Sequence, residues 1–161
     1  MKLHETFPYT ATTPDAVFKL IADSDFRKEA ALSGGGKNVK VTVEPHGEGA
    51  TVTILRTQPA EVPDFIKKMT GSSVTVEQVE QWGAPDAKGE RKAKIKVSVS
   101  GQPAGMQGTM TLAANGKGAK LTVAGDVKVK VPFVGKKIEP LIAKAVTAAV
   151  RHDVREGQKR L

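Results

Sequence analysis

The sequence predicts an α+β fold in which about seven strands form a curved antiparallel sheet around one long C-terminal helix, with two short helices after the first strand. Three observations carry this. Val131–Leu161 is the only stretch with sustained helical periodicity. Most of what precedes it alternates apolar and polar residues with a period of two, the mark of half-buried strands. Short Gly-, Pro- and Asn-rich segments separate these strands, and short hairpins join antiparallel neighbours. The apolar face of such a sheet needs a cover, and only the terminal helix is long enough to provide it.

In VPFVGKKIEPLIAKAVTAAVRHDVREGQKRL, Ile138, Leu141, Ile142, Ala145, Ala149 and His152 recur at spacings of three and four on one face. Lys136, Lys144, Thr147, Arg151 and Arg155 fall mainly on the other. A helix from about Glu139 to Arg155 is roughly 25 Å long at ~1.5 Å per residue, enough to cross a small sheet. Pro140 disfavours helical geometry in the residue before it, so the helix is expected to start near Pro140 after a looser turn, or to kink there.

From the N-terminus, Leu3, Phe7 and Tyr9 share one phase of a first strand. In ATTPDAVFKLIAD, Thr13 is an N-cap candidate, Pro14 fits the first helical position and Asp15 faces the positive end of the helix dipole. Ser24 is the expected cap of a second short helix, with Phe26 and Leu32 turned inward. Ser33–Lys37 (SGGGK) is a flexible connector: it lacks the full phosphate-loop pattern, and a strand rather than a helix follows it. Val39, Val41 and Val43 mark the next strand, and Val52 and Ile54 the one after. Pro63–Asp64 opens a short helical insertion carrying Phe65, Ile66 and Met69. SVTVEQVEQW, RKAKIKVSVS, MQGTMTLA and KLTVAGDVKVKV complete the strands, and Gly125 in the last predicts a bulge or sharp bend.

Composition removes several functions. With no cysteine there is no disulfide, thiolate metal site or cysteine nucleophile. The three histidines, His4, His46 and His152, have no metal-ligand spacing, so neither a metal nor another cofactor is expected. No apolar run approaches the ~18–20 residues of a membrane span, so stable membrane insertion is not expected and a cytoplasmic location is. A net charge of +8 raises the question of nucleic acid. Yet Lys92, Lys94, Lys96, Lys128 and Lys130 alternate with apolar residues, as on a solvated sheet face, and Trp82 and Tyr9 are the only residues of their kinds. No nucleic-acid partner is expected.

The opening strand followed by TTPDAVFKLIAD, then EVPDFIKKM, VTVEQVEQW and KVKVPFVGKKIEPLI resemble the helix-grip fold of the START-like (SRPBCC) superfamily. That superfamily includes polyketide cyclases and the birch-pollen-allergen group. Within it the chain is similar to a family of short actinobacterial proteins of unknown function. The resemblance covers essentially the whole chain, read as one domain over residues 1–161. It implies a cavity between sheet and long helix that often holds an apolar small molecule, and it brings no catalytic residues.

Residues expected to line such a cavity come from the inward strand phases and the helix face. They are Val76, Gln78, Glu80 and Trp82 of one strand, Val97, Met110 and Val123 of later strands, and Leu141, Ala145, Ala149 and His152 of the helix. The alanines leave room where a close-packed helix would carry Leu or Ile. Noncatalytic binding or carriage of a lipid-like or polyketide-like molecule is the first functional reading. The alternative is a cyclase, dehydratase or hydrolase using Glu80 or His152 as general base; an enclosed carboxylate has a raised pKa. Against that alternative, His152 equally suits a partly exposed position near a fraying helix end, and Gln78 and Glu80 an ordinary solvated strand end.

Overall fold

The computed structural model describes residues 1–161. Its elements are β1 (Lys2–Tyr9), α1 (Pro14–Ile21), α2 (Ser24–Ser33), β2 (Lys37–His46), β3 (Gly49–Pro59), α3 (Asp64–Thr70), β4 (Ser73–Trp82), β5 (Arg91–Val99), β6 (Ala104–Asn115), β7 (Gly118–Val129) and α4 (Gly135–Gln158). All seven strands form one sheet in the order β1-β7-β6-β5-β4-β3-β2, and every neighbouring pair is antiparallel. The predicted α+β architecture is the observed one.

Local chemistry sets the element ends. Thr13 caps α1, its hydroxyl accepting from Ala16 N at 3.2 Å, with Pro14 at the first helical position. The cap of α2 is Asp23 rather than Ser24: one carboxylate oxygen accepts from Asp25 N and Phe26 N at 3.0 and 3.1 Å. A carboxylate also suits the positive helix terminus better than a hydroxyl does. Phe26 is buried as expected, but Leu32 is 48% exposed, because Arg27, Ala30 and Ala31 form the inward face of α2. In α3 only Ile66 is buried.

The glycine of β7 does not make a bulge. Pairing runs unbroken from Lys2↔Asp126 to Tyr9↔Ala119 on one side and through Gly108↔Gly125 on the other. Instead the register shifts in β2 between Lys37 and Lys40, where Asn38 has a φ of 52°. Gly108 and Gly125 serve close approach: a Cβ on Gly108 would fall on the Ala124 carbonyl.

α4 begins four residues before the expected Glu139 and passes through Pro140. Pro140 is exposed, so the backbone carbonyl it leaves without an intrahelical partner can be hydrated. In the first turn Lys137 N bonds to Val134 O at 3.0 Å and Ile138 N to the same oxygen at 3.3 Å. Two faces of α4 have different fates. Ala143, Val150 and Val154 enter the main core with Phe7, Tyr9, Met110, Leu121 and Val123. Gly157 lets α4 come close, its missing Cβ lying 3.6 Å from Phe26 and Tyr9 ring atoms. The face expected to pack on the sheet, by contrast, is only partly buried beyond Ile138, and Ala145 is exposed.

These contacts predict opposite outcomes for two glycine-to-alanine changes. Gly157→Ala places its methyl at ordinary contact distance in a helix, so stability rises by up to about 1 kcal/mol. Gly108→Ala must displace backbone and lowers it. Urea unfolding of the two variants checks both signs.

Candidate functional site: a cavity between the sheet and α4

The sheet and the face of α4 from Ile138 to Asp153 bound a cavity of about 610 Å³, within the range of small-molecule sites. Its walls are Val74 and Val76 of β4, Val97 and Val99 of β5, Val129 at the end of β7, and Ile138, Leu141, Ile142, Ala145, Val146, Ala148 and Ala149 of α4. Ile66 and Met69 of α3 close one end, and Ala30, Ala31 and Ser33–Gly36 another. Ala145 and Ala148 are exposed, so the space opens to solvent on their side.

The structure brings six of the expected site residues to this wall: Val76, Val97, Leu141, Ala145, Ala149 and His152. Gln78, Glu80 and Met110 border a separate space of only about 30 Å³ beneath the C-terminal half of α4. Trp82 and Val123 border neither and are core residues, 0% and 1% exposed. The helix is the cause: where Val150, Val154 and Gly157 approach the sheet no room remains, and the inward phase of β4 passes from cavity wall at Val76 to core at Trp82.

Glu80 is the centre of a buried polar cluster. Arg27 of α2 donates to its two oxygens at 3.1 and 2.7 Å, Gln78 Nε2 donates at 2.6 Å and Trp82 Nε1 at 2.9 Å. Arg27 also donates to Ile21 O at 3.1 Å, while its Nε is buried without a partner. Burial opposes ionisation of Glu80, but the Arg27 charge and hydrogen bonds, with those from Trp82 and Gln78, outweigh it and hold the carboxyl below its ordinary value of 4.5. The raised pKa expected of an enclosed carboxylate is therefore absent. An ionised carboxylate accepting four hydrogen bonds, outside the large cavity, is not placed to take a proton from a molecule there.

The polar groups that do reach the cavity include Arg56, Gln58, Ser33, His152 and Asp153. Arg56 follows Val52 and Ile54 in the inward phase of β3 and lies opposite Val76. Its Nε donates to Gln58 at 3.2 Å and one terminal nitrogen to Gln78 at 3.5 Å, and no carboxylate pairs with it. Desolvation lowers its pKa against the pull of Asp153, with a smaller contribution from repulsion by Arg27. Asp153 lies 3.7 Å from Arg27, and burial raises its pKa against the pull of that charge. His152 Nε2 is 2.8 Å from Ser33 Oγ, which also lies 3.2 Å from Ala30 O. The one hydroxyl proton serves either acceptor, so the direction of the Ser33–His152 hydrogen bond is set by the His152 tautomer.

An antiparallel sheet gripping a long C-terminal helix is the helix-grip architecture of the START-like (SRPBCC) superfamily. TTHA0849 from Thermus thermophilus superimposes with a TM-score of 0.64 at 15% identity, covering 99% of this chain and 96% of that one. The Zhui aromatase/cyclase from Streptomyces sp. R1128 gives 0.59 at 12% identity, covering 99% and 92%. Such identities establish the fold alone. Residues 5–161 match the family described as protein of unknown function DUF2505, and the chain belongs to that family. The uncharacterized protein Rv0481c of Mycobacterium tuberculosis (strain ATCC 25618 / H37Rv) is 26% identical over 124 residues, 76% of this chain and 67% of that one.

Two carboxylates give opposite predictions. Glu80→Gln leaves buried Arg27 with only Asp153, 3.7 Å away, as a counter-charge and costs up to about 3–5 kcal/mol at neutral pH. Because the folded pKa of Glu80 is depressed, its contribution is present above the unfolded value and is lost as pH falls through the folded one. Asp153 has a raised folded pKa, so its ionised form opposes folding. Asp153→Asn raises the melting temperature at neutral pH, and the gain disappears in acid, where Asp153 is protonated in both states. Denaturation across a pH series resolves both effects.

Proposed function

We propose that this protein binds and carries, without chemical change, a small apolar molecule in the cavity between the sheet and α4, residues 1–161 acting as one ligand-binding domain. The observation that carries the reading is the cavity itself: about 610 Å³ bounded mostly by valine, isoleucine, leucine and alanine side chains. An interior packed to ordinary density has few voids larger than a water molecule. An apolar space of this size gains free energy when filled, at ~25 cal/mol per Å² removed from water. Arg56, Asp153 and the His152–Ser33 pair favour a molecule whose apolar body ends in one polar group, lipid-like or polyketide-like in outline.

One observation favours a second reading, an enzyme of the cyclase, dehydratase or hydrolase kind. His152 is held by Ser33 at the cavity wall, where an imidazole can serve as a general base. The likeness to an aromatase/cyclase fits that reading at the level of fold. Carriage ranks above it because the wall is mostly apolar and no carboxylate hydrogen-bonds to His152 to orient it against Ser33.

Titration with Nile red, a neutral environment-sensitive dye, tests the proposal. The protein binds the dye, and Ala149→Trp lowers the affinity at least about tenfold with little loss of stability, since filling a void avoids the ~1–3 kcal/mol cost of overpacking. Severe destabilisation by Ala149→Trp, or unchanged dye binding, contradicts it. For the second reading, His152→Gln leaves dye binding in place while abolishing any turnover.

A further inference from the structure

We infer that the end of the molecule formed by α3 and the β7–α4 turn docks on an anionic lipid bilayer surface. Phe65 and Met69 of α3 are 54% and 62% exposed, and Phe133 of the turn is 99% exposed. They stand around one small apolar cluster, in which Ile66 of α3 packs with Val129 and Ile138 and with Val131 and Val134 of the turn. Phe133 also has a φ of 69°, a conformation costly for a bulky residue. The turn therefore holds an aromatic ring out in water instead of folding it into the cluster below.

Charge selects the partner. Lys67, Lys68, Lys130, Lys136 and Lys137 are all exposed on these elements, and none forms an ion pair. Glu61 and Asp64 are the exposed carboxylates of the same segment. Three protruding apolar side chains among five free ammonium groups match a surface that is negative outside and apolar beneath. A second copy of this chain would bring five lysines against five. A nucleic acid would leave the apolar tips without a complementary phase. No helix is long and apolar enough to cross a membrane, so the contact is interfacial. Met69 also lines the cavity, so the docked face adjoins its wall. The docking itself does not depend on what the cavity holds.

Sedimentation with vesicles tests this. The full chain binds vesicles of phosphatidylcholine with one-quarter phosphatidylserine at least about tenfold more tightly than vesicles of phosphatidylcholine alone, and added salt weakens the binding. Phe133→Ser, fully exposed and harmless to the fold, reduces it about tenfold. Lys136→Glu with Lys137→Glu does the same. Ala149→Trp leaves vesicle binding intact even where it stops dye uptake, which separates this inference from the cavity. Equal binding to neutral vesicles, no effect of Phe133→Ser, or tighter binding to DNA or an acidic polypeptide than to the vesicles overturns it.

Discussion

The rest of the structure depends on the close approach of the C-terminal half of α4 to the sheet. Gly157 removes the side chain that would hold the helix off Tyr9 and Phe26, and Val150 and Val154 are thereby brought into the main core. The other face, from Ile138 through Leu141, Ala145 and Ala149 to His152, borders space instead, with Ile66 of α3 packed under its start. The cavity is the space along that face.

The buried Arg27–Glu80 cluster lies beneath the packed face of α4, beside Val150, Val154 and Gly157. With Gln78, Trp82 and Ile21 O it satisfies nearly every polar atom that α2 and β4 bring inside. Its role follows from that saturation: an ion pair buried in this way is costly to break and has little capacity left for a ligand. Chemistry at the cavity falls to the groups still open to it, Arg56, Asp153 and His152. The mostly apolar wall with Arg56, Asp153 and His152 in it, and the adjoining basic, aromatic-tipped surface, fit the proposed uptake of an apolar molecule near lipid.

The fold was legible because two periodicities, 2 for the strands and about 3.6 for the last helix, barely overlap along the chain. Thr13–Pro14 announced α1, and strict alternation in RKAKIKV placed Lys92, Lys94 and Lys96 outside and Ala93, Ile95 and Val97 inside. The site was half legible. The stripe from Leu141 to His152 was correctly a face, but the face that borders space; the packed face, Ala143, Val150, Val154 and Gly157, has the same spacing and differs only in what lies opposite. Alternation along β4 put Gln78, Glu80 and Trp82 in Val76's phase without showing that α4 seals over them. Arg27 was missed although a signal existed: Arg27, Ala30 and Ala31 are one helical face, and an inward glutamate needs a cation. Arg56 continues the Val52–Ile54 phase and was open to the same inference. Phe133 carried no signal, since nothing in VPFVG fixes a positive φ.

The central claim is that a small apolar molecule occupies the cavity along the Ile138–His152 face of α4. Methyl chemical-shift mapping during titration with Nile red tests it most directly. The account predicts shifts concentrated at Val76, Val97, Ile138, Leu141 and Ile142, with the core methyls of Leu112 and Val123 nearly still. Shifts confined to exposed residues outside the cavity, or spread evenly over both groups, would contradict it.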